Sequence, residues 1–202
     1  MIKFSRVIKN KSIILFLIAS ILFGGTFVGA RAGLPYIPPI LFVALRYDIA
    51  SVVLMTYIFT TYPIKETIPQ NKNDIIAIFA GGVLAIGAAN GFLFIGQINV
   101  TSSISAIIFS LVPICTPLLA SILLKNEKLT INGGIGTIVS FIGVSFVIGI
   151  SPSKLLSSLT MGTLLVFAGA FSTSFGSVII RWSKSNIDST IRTAWAVPIS
   201  AL

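Results

Sequence analysis

Residues able to run acid–base or metal chemistry are few in this sequence, and they stand apart. The 202 residues include no histidine and one cysteine, Cys115. The five acids are Asp48, Glu66, Asp74, Glu127 and Asp188, and they are dispersed. General acid–base catalysis needs apposed carboxylates, a histidine or a metal cluster. The sequence therefore does not read as an enzyme, and neither a cofactor nor a metal is expected. One cysteine without a histidine cannot build a Cys/His metal site or an internal disulfide. Cys115 sits in an apolar run and reads as a small buried side chain. Gly133, Gly134 and Gly136 do not make a GxGxxG loop, because position 139 is Val139, so no nucleotide site is supported.

The residues that do suggest chemistry are polar or helix-breaking groups inside apolar runs. Arg46 lies in such a run, roughly 12 Å below one end of its helix at 1.5 Å per residue. A lipid-facing charge at that depth costs at least about 2.5 kcal/mol, so it should face a bundle interior or a water-filled cavity. It reads as an electropositive group on a substrate path, against a structural pair with Asp48 or a snorkelling side chain. Asp48, two residues on, points off another face and is a poor partner. Pro113 and Pro117 each remove a backbone donor and displace the carbonyl four residues earlier, at Phe109 and Pro113. Interrupted helices of this kind point to transporter binding sites, with a packing kink as the plainer role. Ser110 and Thr116 are hydroxyls beside the break, with back-bonding to their own helix as the alternative. Asn90 and Gln97, seven apart, share a helix face and serve either a ligand or a neighbouring helix. The candidate substrate-binding set is Arg46, Asn90, Ser110, Pro113, Thr116 and Pro117. Gly25, Gly29 and Gly33 repeat at four-residue spacing, which suits close helix packing. The sequon at Asn99-Val100-Thr101 lies in a very short hairpin and is not expected to be used.

The elements that must position these groups follow from composition. The chain is 55% hydrophobic and 9% charged, against about 25% charged in a soluble domain. Its mean hydropathy is +1.02, and the solvent that suits such a surface is a bilayer. Uncharged stretches run over 12–30, 49–64, 75–124, 129–153 and 155–180. The polar cluster 96–103 divides the longest into a two-helix hairpin. Tyr36-Ile-Pro-Pro39 starts the second helix. Six spans are predicted at about 12–31, 38–62, 74–96, 101–124, 131–150 and 159–181. A seventh apolar segment, 191–202, rises only about 18 Å, short of a core of about 30 Å. The basic start, Lys3 to Lys11, precedes an apolar run too long for a signal-peptide h-region, so a retained first span is expected.

Net charge is +9, from 14 Lys and Arg against 5 Asp and Glu. No compact basic domain is available to dock on nucleic acid, so no nucleic-acid partner is expected. With the N-terminus inside, that side holds Lys3, Arg6, Lys9, Lys11, Lys65, Lys72, Lys125, Lys128, Arg181, Lys184 and Arg192, and the outside only Arg31 and Lys154. This positive-inside bias predicts a multi-pass cell-membrane protein with a cytoplasmic N-terminus. Lys125, Glu127 and Lys128 read as a solvated inner loop, and Thr130 as a helix cap.

Leu15–Arg31 can be laid on Leu164–Arg181 so that both segments end at an arginine. A unit of five helices is odd, so its repeat would be inverted, as in many secondary transporters. Two stretches carry a more specific likeness. ILFGGTFVGARAGLPYIPPILFVALRY (Ile21–Tyr47) and TSSISAIIFSLVPICTPLLASILLKNEKLTINGGIGTIVSFIGVSFV (Thr101–Val147) hold Pro113, Pro117, Glu127, Leu129-Thr130, Gly136 and Gly143 at characteristic spacing. The chain resembles the EamA family of the drug/metabolite transporter superfamily. The resemblance implies an all-α, polytopic transmembrane helix bundle of the inverted-repeat (5+5) type. On that pattern residues 1–11 form a basic cytoplasmic N-terminus, 12–151 the first repeat, and 159–202 the start of an incomplete second repeat. It also implies a permease that moves a small metabolite or drug by alternating access. The alternative is a non-transporting truncated fragment or a structural membrane protein. Expected partners are the lipid bilayer, an unidentified small-molecule substrate, and a completing unit, either a second copy of the chain or the missing second repeat.

Overall fold

The computed structural model describes residues 2–124, 131–148 and 160–202. Lys125, Glu127, Lys128, Thr130 and Lys154 lie outside the described residues, as do the side chains of Lys3, Arg6, Lys9 and Lys11. The described residues form helices and no strands.

α1 runs Ile2–Gly33, ten residues earlier than the span predicted from 12. No glycine or proline stands between 2 and 13, so nothing stops the helix where the apolar run begins. It ends at Gly33, ahead of Pro35. α2 spans Pro39–Thr61, with Pro39 in its first turn, where no intrahelical donor is lost. It stops at Tyr62, held extended (φ −109°, ψ 149°) by the following Pro63. A short α3, Ile64–Thr67, lies between the second and third predicted spans.

The third span is built in three parts. α4, Lys72–Phe79, is capped by Asn71, whose Oδ1 accepts from Asp74 N at 3.0 Å. A π-helical segment, Ala80–Ala88, follows, and then α5, Ala89–Gly96. The fourth span is broken. α6, Ser102–Phe109, is capped by Thr101, and α7, Val112–Leu123, begins after a turn at Ser110 and Leu111. The break falls where Pro113 displaces the carbonyl of Phe109. α8 spans Ile131–Ile148. α9, Met161–Trp182, is capped by Thr160. α10, Ser189–Ala201, is capped by Asp188, whose Oδ1 accepts from Thr190 N at 2.7 Å. That bond holds the Asp188 carboxyl below its ordinary range.

Among the described residues five helical stretches are long and apolar enough to cross a membrane: Ile13–Gly33, Pro39–Thr61, Lys72–Gly96, Ser102–Leu123 and Met161–Trp182. The chain is thus a polytopic membrane helix bundle. The span predicted at 131–150 is described over Ile131–Ile148, as α8, and its last two residues lie outside the described residues.

α9 packs along α4, the π segment and α5, and also on α6 and α7. The sequence allows this through Gly162, Gly169 and Gly176, seven apart on one face. A Cβ at Gly162 would meet Gly96 O at 2.7 Å, one at Gly169 would meet Ala89 O at 2.6 Å, and one at Gly176 would meet Ala85 N at 2.7 Å. Membrane helices gain association energy from such close backbone approach. The expectation placed on Gly25 and Gly29 is not met. Neither has anything within 4 Å of its would-be Cβ, and Gly33 abuts Phe42.

α10 lies against α2, α4 and the π segment. One end of this assembly is tied by polar contacts. Buried Asp74 accepts from Gln70 N at 3.1 Å and from the Ser185 hydroxyl. Trp195 Nε1 donates to Thr67 O at 2.7 Å, beside a small core of Ile58, Ile191 and Ala194. The main core joins Phe27, Val43, Leu93, Phe94, Ile108 and Val166 from five spans.

Candidate functional site

A cavity of about 620 Å³ opens among α1, α2, the third span, the α6–α7 break and α9. That volume lies within the range of about 300–1,000 Å³ typical of small-molecule sites. Its polar wall is Ser20 and Thr26 from α1, Arg46 and Tyr47 from α2, Asn90 from α5, Ser110 at the break and Thr173 from α9. Phe23 and Phe27 of α1, with Leu93, Phe109, Val112 and Pro113, supply the apolar wall.

Among the described residues Arg46 is the only charged one in that wall. Its Nη2 donates to Tyr47 Oη at 2.7 Å and to Asn90 Oδ1 at 3.2 Å. Its guanidinium carbon lies 4.7 Å from the Tyr47 ring centroid and 5.4 Å from that of Phe94. Each such cation–π contact stabilises by about 0.5–2 kcal/mol. Asn90 is held in turn, with Nδ2 donating to Ile86 O at 2.8 Å. Arg46 is therefore fixed by neutral groups, and Asp48 is not among its partners. A guanidinium does not lose its proton in a protein, so the cavity carries a permanent positive charge with aromatic surroundings. Phe27 packs edge-on to Phe23 and Phe109, with centroids 5.6 and 5.7 Å apart.

Four of the six residues singled out from the sequence meet here: Arg46, Asn90, Ser110 and Pro113. Thr116 and Pro117 do not line the cavity. Thr116 Oγ1 donates to Val112 O at 2.8 Å, the back-bonding role, and Pro117 sits inside α7 on an exposed face. Gln97 shares a face with Asn90 in sequence but not a role. Its side chain is fully buried, and both amide atoms lack a hydrogen-bond partner among the described residues, as does Ser105 Oγ. Arg31 is bound elsewhere, its Nη1 donating to the carbonyls of Gln97 and Ile98 at the end of α5. A cation there complements the helix C-terminus.

Tyr47, Thr173 and the three phenylalanines escaped sequence reading. Tyr47 carried a signal, an aromatic hydroxyl beside a membrane-embedded arginine. Thr173 carried a weaker one, the hydroxyl run Ser172-Thr173-Ser174 in an apolar helix. Two further cavities are less suited to a ligand. One of about 590 Å³ beside the end of α10 is almost wholly apolar. One of about 430 Å³ near Glu66, Asp74 and Asp188 lies at the end of the bundle outside the spans. Among the described residues no His, Cys, Asp and Glu group forms a metal site.

Comparison with known proteins gives the family. The model of the EamA-like transporter family matches residues 10–149. An "Uncharacterized transporter" of Archaeoglobus fulgidus is 24% identical over 177 residues, covering 87% of this chain and 61% of the relative. The "Uncharacterized transporter YyaM" of Bacillus subtilis is 30% identical over 153 residues, covering 74% and 49%. The "Uncharacterized inner membrane transporter YedA" of Escherichia coli is 26% identical over 160 residues, covering 78% and 49%. The chain thus spans about half to three-fifths of the length of these relatives. No solved structure matches it. With the family model matched over more than half of its residues, the chain belongs to the EamA-like transporter family.

Proposed function

We propose that the chain forms the substrate-binding part of a permease that moves a small molecule across the cell membrane by alternating access. The observation that carries this reading is the cavity at the α6–α7 break, with one fixed cation in an otherwise neutral wall. A broken span beside a polar cavity is a recurrent design for a site that opens to alternate sides. Arg46, Asn90, Ser110 and Pro113 bind or shape the substrate. Thr116 and Pro117 shape α7 next to the break. The N-terminus is cytoplasmic, and the third span and α9 belong to successive inverted five-helix repeats. The remaining helices of the second repeat, or a second copy of the chain, complete the path. Transport proceeds without chemical conversion of the substrate.

Reconstituted proteoliposomes test this by counterflow with a panel of labelled metabolites. Arg46→Gln should abolish uptake while membrane insertion is unchanged. Normal transport by that variant would sink the assignment. Ligand binding with no counterflow would support the alternative, a membrane protein that does not transport.

A further inference from the structure

We infer that the ligand of this cavity is an organic monoanion with an apolar, preferably aromatic, body, and not a zwitterion or a cation. The inference rests on the permease reading for the site's purpose but not for its chemistry. It follows from a census of the donors and acceptors in the wall.

Arg46 has five N–H donors. Two on Nη2 are used by Tyr47 and Asn90, which leaves those on Nη1 and Nε. That remaining edge has the fork geometry that a carboxylate takes bidentately. Tyr47 Oη already accepts from Arg46, so its own proton is left to donate. The hydroxyls have spent theirs. Ser20 donates to Phe16 O at 2.8 Å, Thr26 to Leu22 O at 3.2 Å, Ser110 to Ile107 O at 2.6 Å and Thr173 to Gly169 O at 3.1 Å. The donor capacity left beside the charge is thus that of Arg46 and Tyr47, while these four hydroxyls keep only acceptor lone pairs, neutral and without a counter-charge for an ammonium.

Charge points the same way. Among the described residues the wall has no Asp, Glu or Lys, and both partners of Arg46 are neutral. A positive charge in a low-dielectric site draws in an anion and repels an ammonium group. An amino acid would satisfy Arg46 with its carboxylate, but its ammonium would have no counter-charge in this wall. A small inorganic anion would leave the aromatic wall of Phe23, Phe27 and Phe109 unused.

Equilibrium binding of radiolabelled 3-phenylpropionate to the purified chain in detergent tests this, with competitors that differ in one feature each. 3-Phenylpropionamide lacks the charge, L-phenylalanine adds an ammonium, phenethylamine reverses the sign, and acetate lacks the ring. Each should compete at least about tenfold less well than the unlabelled acid, as expected when a charge-assisted hydrogen bond or a buried ring is lost. Arg46→Gln should lose binding. Tyr47→Phe, which removes only a hydroxyl and spares the fold if Arg46→Gln does not, should weaken binding several-fold. Competition by L-phenylalanine or phenethylamine equal to that of the acid would overturn the inference, as would failure of the acid to bind. Counterflow of the same compounds separates the two readings. Binding of the acid without counterflow refutes transport and leaves the ligand class standing. Counterflow of amines or zwitterions does the reverse.

Discussion

The glycine face of α9 makes the sharpest claim about what holds this bundle together. At Gly169 an added Cβ would sit 2.6 Å from Ala89 O and 3.4 Å from Phe109 Cζ. Ordinary contact begins near 3.4 Å, so Gly169→Ala must push α9 from α5 by about 0.8 Å. Overpacking of that order costs about 1–3 kcal/mol. At roughly 2–4 °C per kcal/mol for a chain of this length, Tm should fall by about 2–12 °C. Alanine's better helix propensity, about 1 kcal/mol, offsets part of this. The control is Gly29→Ala on α1, whose Cβ would meet nothing within 4 Å, and which should melt unchanged or slightly higher. Cys115 is the chain's only cysteine and is half-buried, so a thiol-reactive fluorophore reports unfolding in detergent without further engineering. Because Phe109 is also a cavity wall, Gly169→Ala should weaken ligand binding in parallel. Equal melting of Gly169→Ala and wild type, or equal losses for the two variants, would refute the packing argument.

Other perturbations test separate parts of the structure. Asp74→Ala strips the acceptor from Gln70 N and the Ser185 hydroxyl; a loss of about 1–3 kcal/mol should appear in the same melting assay. Ser172→Ala frees the carbonyl of Leu84, now bonded at 2.8 Å, and should lose about 0.6–1.7 kcal/mol, typical of membrane-embedded hydrogen bonds. Orientation is tested in a Cys115→Ser background. A membrane-impermeant maleimide should label Asn99→Cys on intact cells and Lys184→Cys only after permeabilisation, and the reverse pattern would invert the proposed topology.

What the sequence made legible is what the bilayer and the backbone enforce. A lipid solvent demands long apolar helices with every backbone group satisfied, so the spans could be located from charge, proline and the polar turn at 96–103. Pro113 announced its break because a missing amide and a displaced carbonyl are local facts. Arg46 and Asn90 could be placed in a cavity because buried polar groups in a membrane need a reason. What depends on the partner helix was not legible. Gly25 and Gly29 have the spacing of a packing motif yet face open space, while Gly162, Gly169 and Gly176, spaced by seven, make the close contacts. A glycine records only that a near neighbour is allowed, and the neighbour is chosen by the rest of the fold. Thr116 lies outside the cavity wall, and its hydroxyl bonds to an acceptor in its own helix.

The π segment is the deepest of these omissions, and it bears on the site. Ala-Gly-Gly-Val-Leu-Ala-Ile-Gly-Ala reads as an ordinary apolar helix, and only three-dimensional context favours i→i+5 turns. Here two neighbours supply that context. The Ser172 hydroxyl of α9 donates to Leu84 O, a carbonyl within the segment, at 2.8 Å. α10 presses on the other side, where a Cβ at Gly82 would meet Ala196 O at 2.6 Å. Each residue of a π turn advances the chain by a smaller angle than in an α-helix, so the face on which Asn90 emerges depends on how many such turns precede it. Ala85 within the segment lines the cavity, and Ile86 O anchors Asn90, which anchors Arg46. A shift of α9 or α10 that returned part of Ala80–Ala88 to α-helix would therefore rotate Asn90 away from Arg46 and release the guanidinium. α9 is thereby connected to the cation of the site through the third span, from Ser172 to Leu84 within the π segment, and from Ile86 through Asn90 to Arg46.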